Sequence, residues 1–374
     1  MHWIKSVPQS NHQIINLIAM QKDRIAYVDQ IRVFLTCLVV AHHAGQAYGP
    51  TGGVWVVDNV AKAAWLGNFF FINASYMMGL YFFISGYFLV FSINRKSNAA
   101  FTKDRLKKLG IPLLFFTLLV FLPFNYYGAG GHRNVFLFLI DTYVNKPPLA
   151  TGHLWFVASL LVYSFIYLLL FHRWLVQKAG NFGSLKVVHL VIYLLLLTIV
   201  SALVRLKYPI DAWRTWLIPV EPAHLPQYFS LFIAGAMFNH ATWLHQLTLK
   251  SGLAFFALAI ITYLVSVQLP GVVKENWLME SFIESVLCIG ISMGVLSLFR
   301  CYGNTMNYFV KRLSENVYGV YLFHLFIVIF LQQLMVHWFI GPNLKFFLVT
   351  LFGLILSFGL TALLRMSPLL RRII

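Results

Sequence analysis

The chain has 374 residues, of which 60% are hydrophobic and 10% charged, with a mean hydropathy of +0.76. That balance excludes a soluble globular enzyme and leaves an all-α, polytopic membrane helix bundle embedded in a lipid bilayer. The formal net charge of +17 would suit a nucleic-acid binder, but the basic residues are scattered between apolar runs. Membrane topology accounts for them, and no nucleic-acid partner is expected.

Residues 1–29 lack the continuous apolar core of a secretory signal, being broken by Pro8, Gln9, Asn11, His12 and Asn16, and read as a cytoplasmic N-terminal leader. Apolar stretches near twenty residues long follow at 31–49, 69–93, 109–127, 153–171, 187–206, 250–269, 281–300, 315–338 and 344–364. A shorter stretch, 226–244, is marked by Gly235. Together they predict about ten transmembrane helices in one domain, 30–366, followed by a short basic cytoplasmic tail, 367–374. With the N-terminus inside, most Lys and Arg fall on cytoplasmic segments, above all the run from Arg95 to Lys108. Both termini are then cytoplasmic, which requires the 226–244 span. The loop GPTGGVW, from Gly49 to Trp55, reads as a shaped turn, plausible as a re-entrant segment.

Arg32 and His43 lie eleven residues apart on the first span, almost three whole turns, so they project from one face roughly 16 Å apart. An imidazole that deep in a bilayer is expensive and is a candidate base or nucleophile. Arg32 would grip something anionic at the cytoplasmic mouth, with Asp29 able to pair with it. Equally, Arg32 can be a topogenic charge and His43 an interhelical hydrogen-bonding residue. His42 points away from His43 and shares no role with it.

Arg105 and Lys108 are three residues apart at the entry to the third span, a pair suited to phosphate. Such a loop also attracts anionic lipid without binding any ligand. Among the other buried polar groups, His324 and Glu284 are candidates for proton handling. His153, in GHLWF, is placed at the outer surface. His337 lies close to an interface, and His2, His12, His132 and His224 in the tail or loops. Ser85 and Gly86, in YFFISGYF, let helices approach closely. Trp55, Trp65, Trp155, Trp213 and Trp216 gather toward the outer side, where a glycan could stack. Cys37, Cys288 and Cys301 lack disulfide or zinc spacing, and no metal is expected.

Taken in order, DQIRVFLTCLVVAHH, YFFISGYF, RLKKLGIP, GHLWF and GVYLFH resemble the acyltransferase-3 family of integral membrane acyltransferases over roughly residues 27–340. Within it, FFISGYF, RLKKLGIP and HLWF are most similar to the bacterial periplasmic-glucan succinyltransferase branch. The resemblance implies transfer of an acyl group, acetyl or succinyl, from a cytoplasmic acyl-CoA co-substrate to a hydroxyl of a cell-envelope or extracellular glycan. It implies a multi-pass protein of the bacterial inner membrane and no permanently bound cofactor. The family's Arg-x10-His pair maps onto Arg32 and His43, expected as catalytic residues. Its Arg-x-x-Arg pair maps onto Arg105 and Lys108, with lysine keeping the charge but losing the bidentate fork. Arg32, Arg105 and Lys108 are thus the expected donor-binding residues, and His324, Glu284, Ser85 and His153 the secondary candidates. The alternative is a proton-coupled transporter or flippase of a glycan or lipid-linked intermediate, with His43, His324 and Glu284 as its relay; no inverted repeat supports it. The sequence leaves open the acyl group, the acceptor sugar and the oligomeric state.

Overall fold

The computed structural model describes residues 25–50, 55–123, 126, 134–141, 151–178, 182–216, 218–274 and 276–374. Its longer helices are α1 (Ala26–Gln46), α2 (Leu66–Asn94), α3 (98–121), α4 (Gly152–Lys178), α5 (Val187–Arg205), α6 (Leu225–His240), α7 (Leu249–Gln268), α8 (Trp277–Tyr302), α9 (Tyr308–Leu334) and α10 (Pro342–Leu364). Side chains start several of them. Asn276 and Asn307 accept backbone N–H groups at the starts of α8 and α9, and Thr248 exchanges bonds with Ser251 at the start of α7.

Among the described residues, seven helices (α2, α4, α5, α7, α8, α9 and α10) are long and apolar enough to cross a membrane. The protein is a multi-pass membrane protein. The other three escape a hydropathy criterion for identifiable reasons. α1 is diluted by Asp29, Gln30, Arg32, His42 and His43, α3 opens on basic turns, and α6 has 16 residues. The first helix begins at Ala26, inside the stretch read as a leader; residues 1–24 and the tip of the GPTGGVW turn, 51–54, lie outside the described residues.

α8 forms the centre, buried along most of its length against α7, α5, α2 and α1. α5, α7 and α10 instead turn exposed apolar faces outward, including Leu195, Leu203, Ile261, Leu264, Phe347 and Ile355, as helices facing lipid tails must. α2 and α6 cross at two glycines. A methyl group on Gly86 would collide with the Phe232 carbonyl, and one on Gly235 with the Phe83 carbonyl. The small residues noted in the second span and the glycine noted in the sixth are two halves of one backbone contact.

One end of the bundle gathers the start of α1, the α2–α3 connection, the α8–α9 turn and the end of α10, and so carries Arg95, Lys96, Lys103, Arg105, Lys107, Lys108, Arg300, Lys311, Arg312 and Arg365. At the other end a two-stranded hairpin, β1 (Arg214–Thr215) and β2 (Pro219–Val220), packs against the start of α4. α3 contains π-helical turns at Leu106–Gly110 and Thr117–Phe121, and α4 one at Tyr167–Phe171.

Candidate active site

At the basic end, a cavity of about 500 Å³ runs into the bundle between α1, α2, α3, α4 and α9. Arg32, Arg95 and Arg105 line it, with Ser85 and Phe88 from α2 and Ser164 from α4. Two of the guanidiniums lie over aromatic rings, Arg105 over Phe101 at 5.1 Å and Arg32 over Phe88 at 6.0 Å, which restrains cations that would otherwise sample many rotamers. Arg32 also pairs with buried Asp29 at 3.1 Å. Three cations in a low-dielectric mouth suit a polyanionic group such as a phosphate.

Lys108, the second half of the expected Arg-x-x-Arg pair, is not in the cavity wall. Its ammonium pairs with Asp104 at 3.3 Å, and its backbone carbonyl accepts the Tyr318 hydroxyl at 2.6 Å. Burial alone would raise the Asp104 carboxyl, but Lys96 and Lys108 hold it below its ordinary value. Arg95, read only as loop charge, lines the cavity.

The cavity ends on Tyr81, Phe156 and Tyr321. These rings are edge-packed, Tyr81 on Phe156 and Phe156 on Tyr321, each at 5.6 Å. The Tyr81 hydroxyl is anchored to Thr36, one turn from Arg32 on α1, and donates to the Arg32 carbonyl at 3.1 Å. The Tyr321 hydroxyl donates to the His153 carbonyl.

Behind Tyr321 sit three histidines from three helices. The His324 ring is 5.0 Å from that of His43 and 5.1 Å from that of His153, and Tyr321 is 5.8 Å from His324. His153 does not lie at the surface as its position in the sequence suggested. Gly152 takes φ 50° and a short 3₁₀ turn carries His153 inward, where it is buried. His42 packs against Phe70, centroids 5.0 Å apart, and edge-on to His43.

Carbonyl partners settle which nitrogens carry hydrogen in the neutral rings. His324 Nδ1 is 2.8 Å from the Tyr321 carbonyl and 3.2 Å from the Val320 carbonyl. Carbonyls only accept, so Nδ1–H donates and Nε2 keeps its lone pair. His43 Nδ1 lies 2.9 Å from the Val39 carbonyl and 3.2 Å from His324 Nε2, both acceptors, so it too carries the hydrogen. The lone pair of His43 is therefore on Nε2. His324 has 0% exposure and His153 is buried, whereas His43 is half-buried. An accessible imidazole with a bare nitrogen, held in one tautomer by a second imidazole, has the arrangement that general-base chemistry requires.

Glu284 belongs to a different cluster. Its carboxylate pairs closely with Arg205 at the end of α5, and His224 Nε2 approaches it at 3.6 Å. His224 Nδ1 is 2.8 Å from Glu221, and Arg205 is 3.7 Å from Glu280. Burial would depress the His224 imidazole, but Glu221 and Glu284 lift it to about 10; Glu221 lies correspondingly below its ordinary value despite its burial. Sequence reasoning left His224 in a loop and did not single out Arg205. No group of three or more His, Cys, Asp or Glu among the described residues is placed to hold a metal ion.

The family model for acyltransferase 3, described as an acyltransferase domain, matches residues 25–365. The chain belongs to the acyltransferase-3 family. It is an enzyme that transfers acyl groups. Curated relatives named glucans biosynthesis protein C, from Escherichia coli strains SMS-3-5 / SECEC and K12, are each 25% identical over 319 residues, covering 80% of this chain and 80% of theirs. No solved structure matches the chain.

Proposed function

We propose that this enzyme moves an acyl group from acyl-CoA, entering from the cytoplasm, to a hydroxyl of a glycan at the opposite face of a bacterial inner membrane. The observation that carries the reading is adjacency. A cavity with three arginines at its mouth ends on Tyr321, whose ring centroid lies 5.8 Å from that of His324, the residue that holds His43. The CoA phosphates sit on Arg32, Arg95 and Arg105, and the thioester arm lies along Ser85 and Phe88. His43 Nε2 takes the proton of the acceptor hydroxyl as its oxygen attacks the thioester carbonyl. A C–O bond forms, the C–S bond breaks, and the proton leaves on the CoA thiol. The basic end is cytoplasmic, and α1 to α10 are ten spans with both termini inside. Acetyl and succinyl are the acyl groups to test, and the named role of the relatives in glucan biosynthesis supports a glucan acceptor.

The test is a thermal-shift titration of detergent-purified protein with acetyl-CoA, succinyl-CoA and free CoA. Linkage predicts a midpoint that climbs with ligand concentration. Arg32→Ala and Arg105→Ala should each weaken the apparent affinity about tenfold or more. A protein that shifts with no CoA species would overturn the donor assignment and bring forward transport of a glycan intermediate.

A further inference from the structure

Gln332, near the end of α9, has 0% exposure. Its Nε2 donates to the carbonyls of His43 at 2.9 Å and Ala44 at 3.1 Å, and its Oε1 accepts the Trp55 Nε1–H at 2.9 Å. Both amide hydrogens and one oxygen lone pair are used. The two carbonyls belong to the last turn of α1, where no further turn of helix supplies N–H partners. One side chain therefore closes α1 immediately at His43 and fastens the following loop to it through Trp55.

This fastening places the Trp55 indole with its centroid 6.0 Å from the His43 imidazole and the planes 35° apart. Trp55 is half-buried, so part of the ring surface is accessible beside the half-buried base. Its one polar atom is consumed by Gln332, and what remains is carbon. The neighbourhood is also electrically quiet. Lys62, in the same loop as Trp55, is held by Asp58 at 2.6 Å and by the Ala47 carbonyl at 2.9 Å. The rings around His42 and His43 are Phe69, Phe70, Trp55 and His324. This end of the site thus contrasts with the arginine-lined cavity and suits an uncharged ligand with one apolar face.

We infer that Trp55, held by Gln332, is the acceptor platform. It takes the C–H face of a neutral pyranose and aims one ring hydroxyl at His43 Nε2. The inference rests on the acyl-transfer reading above and adds to it the surface and the chemical class of the acceptor. An aromatic face, negative at its centre, attracts the weakly positive C–H groups of a sugar. Gln332 is a positioning residue: it touches neither donor nor acceptor and acts by registering indole against imidazole.

The experiment is steady-state transfer from radiolabelled acetyl-CoA or succinyl-CoA to a neutral gluco-oligosaccharide, varying donor and acceptor separately. Trp55→Ala should raise the acceptor KM at least about tenfold, with the CoA thermal shift and donor KM as in wild type. Trp55→Phe keeps a ring but loses the bond to Gln332, and Gln332→Leu loses the same bond from the other side. These two should produce matching, smaller rises in acceptor KM, an agreement that mere loosening of the fold would not produce. An acceptor KM unmoved in Trp55→Ala, or a donor KM raised as much as the acceptor KM, overturns the inference while acyl transfer stands. A wild-type protein that neither binds CoA nor acylates removes the acyl-transfer reading and this inference with it.

Discussion

Two regions of this bundle bury polar side chains, and they are built on opposite principles. At the junction of α5, α8 and the segment before α6, Arg205 and His224 are each paired with carboxylates from Glu221, Glu280 and Glu284. At the junction of α1, α4 and α9 three imidazoles meet, His43, His324 and His153; His43 Nδ1–H donates to His324 Nε2 and His324 Nδ1–H to backbone carbonyls, which leaves His43 Nε2 without a proton. The first arrangement has used its electrostatic capacity on itself and holds helices together. The second leaves one imidazole nitrogen, His43 Nε2, with no partner of its own among the described residues. A buried titratable group signals chemistry only when its neighbours leave it something to do.

The largest separation between the two regions should come from removing one group from each. His43→Ala is expected to lower acyl transfer by about 10²–10⁴-fold or more with expression and melting temperature near wild type. Glu284→Leu takes away the closest carboxylate of buried Arg205, leaving it Glu280 at 3.7 Å, and should cost about 3–5 kcal/mol of stability, visible as a lower melting temperature in detergent. Loss of transfer in Glu284→Leu without loss of stability would erase the distinction. A smaller effect comes from the shared scaffold. Gly235→Ala pushes a methyl group into the Phe83 carbonyl and should destabilise by about 1–3 kcal/mol; an unchanged melting temperature would show that the α2–α6 contact can open without cost. The subtlest difference is in pH. His224, raised to about 10 from an ordinary 6.5, contributes stability that is full below 6.5 and lost as pH climbs through 10. Wild-type melting temperature should therefore fall more between pH 7 and pH 10 than that of His224→Gln. Parallel curves would mean that this imidazole is neutral in the folded protein.

Much of the helix pattern was readable from hydropathy, because a lipid-facing helix such as α5 or α10 has to be apolar along its length. The errors cluster where helices continue into polar surroundings. α3 runs over 98–121 rather than from 109, since its basic turns are helical but outside the apolar window. Helical periodicity put Arg32 and His43 on a common face of α1, where Thr36 and Tyr81 now mark the path between them. It could not show that His43 meets a residue 281 positions later in the chain. Nor could i, i+3 spacing on α3 reveal that the wall facing Arg105 is completed by Arg95 at the end of α2, while Lys108 turns to Asp104. Gln332 drew no notice in the sequence. Its meaning depends on two unpaired carbonyls on another helix.

The reciprocal glycine contact has a mechanical consequence. Because backbone touches backbone where α2 crosses α6, with Phe232 and Phe83 carbonyls seated on Gly86 and Gly235, the two helices form one stiff plate. Ser85 and Phe88, one residue before and two after Gly86, stand on that plate. The facing jaw, α3 and α4, carries the π-turns. A vise with one fixed jaw admits its workpiece by moving the other, so this cavity should widen from the α3–α4 side.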